Sequence, residues 1–168
     1  MLGAWEKRPS ESRSLFNPAF CAALIAVAVK EYESVRHSGE GMPLLMTHLL
    51  LPTALHTETR EAFPATTRTS LTRWVNQHPQ IHIGFPERVT GFRSITAEAV
   101  RFAIAGGILR LNDSGNLTHV PRKPRGLGKV SETSPEVAAC FKAVRDLGRW
   151  FARVPDAAFL FRLFRICP

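Results

Sequence analysis

The sequence predicts a mostly helical α+β fold: a helical N-terminal part, a winged helix-turn-helix with a short β-hairpin, and a C-terminal helical extension. Three observations predict it. Ala19 to Val29 is apolar nearly all round and bounded like a helix, while Val137 to Phe151 carries a helical apolar stripe. Between them, Ser70 to Val120 reads as helix, short helix, helix and two strands, the element order of a winged helix-turn-helix.

Residues 1–16 mix Arg, Glu, Ser and Pro without periodicity and read as a flexible arm, which leaves 17–168 as a single domain. Asn17 before Pro18 is a helix start, because the amide side chain can cap free N–H groups and proline lacks the donor that position would waste. The helix should run to about His37, ended by Gly39 and Gly41, and form the centre of the N-terminal core or be covered by a partner. Pro43 opens a leucine-rich helix in which Pro52 should impose a kink or a break. A short polar helix around Thr59 to Phe63 follows. Ala65 to Ser70 is a threonine-rich connector ending on Ser70, the N-cap of a helix from Leu71 to Gln77 whose Leu71, Trp74 and Val75 face inward.

Within the winged-helix core, 70–120, Thr96 is expected to cap a third helix, with Ile95 and Val100 as a hydrophobic staple and Gly106-Gly107 as its end. Ile108 to Leu111 and Leu117 to Val120 are the hairpin strands around NDSGN. The segment 121–133 is a basic linker holding Arg122, Lys123, Arg125 and Lys129 without an acid among those four. It reads either as a contact strip or as a solvated connector. In the extension, 134–168, Ser134 caps a helix that begins with Pro135 and is interrupted at Pro155. The terminal helix interleaves Phe159, Phe161 and Phe164 with arginines, the mark of a terminus docked on its own domain or on a partner.

Composition narrows the function classes. A formal net charge of +8 over 168 residues favours acidic partners, either nucleic acid or an acidic protein face. No secretory signal is expected, since Trp5-Glu6-Lys7-Arg8 stands where an apolar run is needed, and the apolar run at Ala19 is too short to span a bilayer. A cytoplasmic protein without membrane contact is therefore expected. Cys21, Cys140 and Cys167 form no close pair and read as reduced, mostly buried thiols. The six histidines have no zinc spacing, no Gly-rich loop ends in Lys-Ser or Lys-Thr, and no nucleophile elbow or acid-base pair is present. Neither catalytic, metal nor cofactor-binding residues are assigned, and no enzyme is expected. Sequence-specific DNA reading is weakly supported, because the expected recognition helix offers only Glu98 and Arg101 as long polar side chains. Backbone contact through Arg101, Arg122, Lys123, Arg125 and Lys129 needs charge alone and stays open.

Several stretches together resemble the middle component of three-component ABC systems: FNPAF at Phe16, LLLPTALH at Leu49, REAFPATTRTSLTRWVNQHP at Arg60, GFPERV at Gly84, ITAEAVRFAIAGGILRL at Ile95 and LGRWF at Leu147. The resemblance implies a non-enzymatic adaptor between a Rad50/SMC-like ABC ATPase and a variable third-component protein, in bacterial defence or conflict. It marks Asn17, Pro18, Thr67, Arg68, Thr69, Ser70, Trp74, Gly84, Arg88, Trp150 and Phe151 as interface or structural signatures, to which the aromatic terminus adds Phe159, Phe161 and Phe164 as interface residues. Arg68 could pair with a partner's carboxylate or, within the chain, with Glu61 or Glu87. The rival reading is a winged-helix DNA-binding protein or transcription regulator.

Overall fold

A computed structural model describes residues 16–37, 39–121 and 134–166. Most of these residues are helical. Helix α1, Pro18–Arg36, runs through the middle, and its residues from Cys21 to Ala26 are all buried. An apolar run without a polar stripe has to be covered on every side, and here the chain's own elements cover it. Asn17 Oδ1 accepts from the Ala19 N–H at 2.9 Å, so the cap is formed as its sequence position predicts. The helix ends where expected, at Arg36, but on His37 rather than on a glycine: His37 takes the left-handed conformation, φ 51°, and its N–H bonds the Glu33 carbonyl. An αL residue closes the last turn whatever its side chain, which removes the need for Gly39.

After strand β1, Met42–Pro43, and a 3-10 turn, Leu44–Met46, come α2, Thr47–Ala54, and α3, Thr57–Glu61. Pro52 lies inside α2, which closes just after it at Ala54. Helix α4, Leu71–Gln77, is capped by Ser70 and buries Leu71, Trp74 and Val75 as expected. A 3-10 turn, Pro79–His82, leads to α5, Phe85–Ala105.

Helix α5 corrects the expected helix boundary. Phe85 to Ala105 is one uninterrupted helix, so Thr96 is not an N-cap but a fully buried interior residue whose hydroxyl has no hydrogen-bond partner. The Ser/Thr-before-apolar pattern is local, and a continuous run of helical hydrogen bonds overrides it. Ile95 likewise packs from mid-helix and does not staple an end.

The hairpin is present as β2, Leu109–Leu111, and β3, Asn116–His119, with Leu109 opposite His119 and Leu111 opposite Leu117. Strand β1 adds antiparallel to the other edge of β3, pairing Met42 with Leu117, so the sheet order is β1-β3-β2. Gly41 permits this approach: at φ 74° it lies so close to β3 that a Cβ would stand 2.6 Å from the Leu117 carbonyl oxygen.

Helix α6, Pro135–Phe151, starts on the Ser134 cap and packs along α1. Gly148 makes that seam close, since a Cβ there would fall 2.3 Å from the Ala28 carbonyl oxygen. Arg149 Nε reaches Glu31 at 2.8 Å beside the seam, and Arg36 donates to the Ala152 and Val154 carbonyls beyond the end of α6. Helix α7, Ala157–Leu163, buries Leu160, Phe161 and the following Phe164, whose ring stacks on Phe85 at 5.0 Å. The aromatic terminus is thus docked on its own domain. Cys21 and Cys140 are buried thiols, and burial, then the Glu98 charge, pushes Cys21 up to about 12, while Cys167 lies outside the described residues.

Candidate protein-docking surface

The connector between α3 and α4 contains no regular secondary structure, so its backbone carbonyls need partners from elsewhere. Side chains supply them. The Trp74 indole N–H donates to the Ala62 carbonyl at 2.8 Å, and the Trp150 indole N–H donates to the Thr69 carbonyl, also at 2.8 Å. Between these two anchors Arg153 donates to the Thr67 carbonyl at 2.9 Å and Lys142 to the Pro64 carbonyl at 3.4 Å. The two indoles lie 5.1 Å apart, and Phe63, from the connector itself, sets its ring edge against both. Each tryptophan buries its ring and aims its polar edge at the loop, the division of labour that suits an indole at a core boundary.

This anchoring leaves Arg68 on the outside. Its side chain is exposed and makes no hydrogen bond or ion pair among the described residues, so neither Glu61 nor Glu87 holds it. Thr67 and Thr69 are half-buried on either side. The loop therefore presents one guanidinium from a backbone held at four carbonyls.

The other sequence-marked residues divide. Trp150, Phe151, Phe161 and Phe164 are interior and offer no surface in this state, and Phe159 is half-buried against the core. Aromatics beside arginines here mark self-docking. Asn17 and Arg101, from separate expectations, come together in a shallow groove of about 590 Å³ with Glu98 and Phe102, the last of these 47% exposed. Arg122, Lys123, Arg125 and Lys129 lie outside the described residues.

Arg88 lies at a second concavity, a cleft of about 340 Å³ that sequence reasoning missed. It is built from Phe16 and Phe20, Leu55, Phe92 and Val137, with His56, Arg60, Arg88 and Glu136 as its polar groups. Phe16 meets Phe92 edge-on at 5.3 Å, and the Arg88 guanidinium lies 5.4 Å from the Phe85 ring centre. Arg88 Nη1 lies 3.3 Å from His56 Nε2, while His56 Nδ1 accepts from the Thr59 N–H at 3.3 Å and lies 2.8 Å from Thr59 Oγ1. A guanidinium and a backbone N–H can only donate, so one ring nitrogen must accept and the imidazole is neutral. Burial, then the Arg88 charge, lowers the His56 pKa, in keeping with a neutral imidazole. Phe16 and Phe20, four residues apart across the Asn17 cap, were the available sequence signal, but the facing groups come from distant segments.

Among the described residues, no three His, Cys, Asp or Glu side chains come together as a metal site needs, and no described helix is long and apolar enough to cross a membrane. Compared with known proteins, the chain matches the model of the family described as ABC-three component (ABC-3C) system Middle Component 3 over residues 5–168. No curated protein and no solved structure matches it.

Proposed function

Because the chain belongs to the Middle Component 3 family of ABC-three component systems, we propose that it is a non-enzymatic cytoplasmic adaptor. In this reading it joins a Rad50/SMC-like ABC ATPase to a variable third-component protein in a bacterial defence or conflict complex. The single observation that carries the reading is the anchored connector with Arg68 outward. A planar guanidinium on a pre-fixed loop can pair bidentately with a partner's carboxylate and loses little conformational freedom in doing so. Thr67 and Thr69 flank Arg68 on this surface, while Asn17, Arg88 and Phe159 would be contacts elsewhere on the chain in this proposal.

Arg122, Lys123, Arg125 and Lys129, with Arg101, would add non-specific contact to DNA held within the complex, since phosphate binding requires charge and no base code. The regulator reading rests on the order of helix, 3-10 turn, helix and hairpin over 71–119, the succession of a winged helix. It is the weaker of the two. Around Arg101 the α5 surface carries Phe102 and Ile104, both exposed and apolar, where a base-reading helix would need polar side chains.

Arg68→Ala tests the adaptor reading. The thermal melt should stay within about 1 kcal/mol of the parent, because an exposed side chain without a partner among the described residues contributes little to stability. Co-purification with the ATPase or the third component should weaken by about 2 kcal/mol, roughly thirtyfold. Unchanged capture with a lowered melting temperature would assign Arg68 to the fold and remove the connector from the interface.

A further inference from the structure

The cleft at Arg88 combines features that a mere packing defect would lack. Its wall is aromatic and aliphatic, formed by Phe16, Phe20, Leu55, Phe92 and Val137, and its volume of about 340 Å³ falls at the small end of ligand sites. Two arginines enter it. Arg60 is drawn deep, with its side chain 8% exposed, and Nη1 donates to the Ala54 carbonyl at 2.9 Å. Arg88 is held by donating to the Ile81 and Ile83 carbonyls, Nη1 also lies 3.3 Å from His56 Nε2, and its Nε is buried without a partner. His56, neutral because one of its ring nitrogens must accept, lies against Arg88 without adding charge.

Compensation for these two charges is thin. Glu136 is the lining carboxylate, 3.3 Å from Arg60 Nη2, and its own side chain is 70% exposed. Glu58 and Glu87 act on Arg88 from a distance without forming an ion pair with it. The lining thus carries two guanidinium groups against one rim carboxylate that water already solvates.

We infer that this cleft is a binding site for an apolar carboxylate, an aromatic or branched apolar group carrying one acid function, of the size of one amino-acid residue. The apolar group lies among Phe16, Phe20 and Phe92, and the carboxylate meets Arg88 and Arg60, displacing or sharing the Glu136 contact. Charge complementarity selects an acid over a neutral analogue, and the aromatic wall selects an apolar acid over acetate or inorganic anions. The same chemistry is offered by the C-terminal residue of a protein chain and by a free apolar acid. This site does not depend on the adaptor reading.

Calorimetric and NMR titrations of the full chain test it, with N-acetyl-phenylalanine, N-acetyl-phenylalaninamide and 3-phenylpropionate as probes. The two acids should bind saturably with shifts at Phe20, Phe92 and Val137, and the amide should bind at least about tenfold more weakly, as loss of a charge-assisted contact requires. Preference for N-acetyl-phenylalanine over 3-phenylpropionate assigns the site to a chain terminus, and the reverse order to a free acid. Arg88→Gln should weaken both acids and leave the amide alone. Should that variant fail to fold, Glu136→Gln at the exposed rim decides, because freeing Arg60 from its carboxylate should tighten acid binding several-fold. Equal affinity for acid and amide, shifts that map elsewhere, or no tightening in Glu136→Gln would overturn the assignment.

Discussion

The α1–α6 seam and the connector between α3 and α4 meet opposite demands. At the seam two regular helices satisfy their own backbones, and packing alone decides how near they come. Gly148 against Ala28 lets them approach until backbone meets backbone. In the connector the backbone has no ladder of its own, so Trp74, Trp150, Arg153 and Lys142 reach in to satisfy it. One region is held by the absence of side-chain atoms, the other by polar side-chain atoms placed on carbonyls. Rigid presentation of Arg68 depends on both, because Trp150 and Arg153 are carried by α6 and the turn after it, which the seam positions.

The sharpest way to break the comparison is Gly148→Ala. In an ordinary helix interior this exchange stabilises by about 1 kcal/mol, since alanine has the better propensity. Here the new methyl meets a backbone oxygen that cannot turn aside, so the helices must separate. Overpacking of this kind costs about 3 kcal/mol at its upper end, leaving a net loss of up to about 2 kcal/mol. Chemical denaturation of the purified variant checks it, and an unchanged or raised midpoint would show that the seam has slack.

Trp150→Phe acts on both regions at once. The phenyl ring fills most of the indole's place beside Trp74 and Phe63, but the donor to the Thr69 carbonyl is gone. A half-buried carbonyl left without its partner costs about 1–2 kcal/mol. The informative readout is amide exchange across 62–70, which should speed up while exchange in α1 and α6 follows only the global loss. Uniform acceleration across all elements would mean that the connector is not separately anchored.

How much of this was legible in the sequence follows the same division. Asn17, Ser70 and Ser134 cap as expected because capping is decided within three residues of chain. Thr96 shows the limit of that logic, since the same local pattern inside a continuous helix places the hydroxyl in the core. Phe161 and Phe164 are buried in the chain's own core, and interleaved aromatics and arginines cannot say in the sequence which surface receives them. The cleft was illegible for a stronger reason: its walls come from the start of α1, the α2–α3 region, α5 and α6, and no spacing along the chain brings His56, Arg88 and Glu136 together. The roles proposed for Thr67 and Arg68 likewise rest on a loop conformation fixed by residues roughly eighty positions later in the chain.

The smallest effect sharpens the comparison by supplying its control. Gly91 lies inside α5, as Gly148 lies inside α6, but a Cβ there would meet nothing within 4 Å. No close approach requires a glycine at this position, and the main consequences of the missing side chain are a poorer helix propensity and a more flexible unfolded chain. Gly91→Ala should therefore stabilise by about 0.5–1 kcal/mol, or roughly 1–4 °C in melting temperature for a chain of this size. Because the residue is exposed on a face without a described partner, Arg68-dependent capture should not change. The same substitution then carries opposite signs at two helix interiors, and the difference isolates the contact with Ala28 from helix propensity. A destabilised Gly91→Ala would mean that α5 needs the glycine for bending, and loss of capture in a stabilised variant would point to a contact made only in the assembled complex.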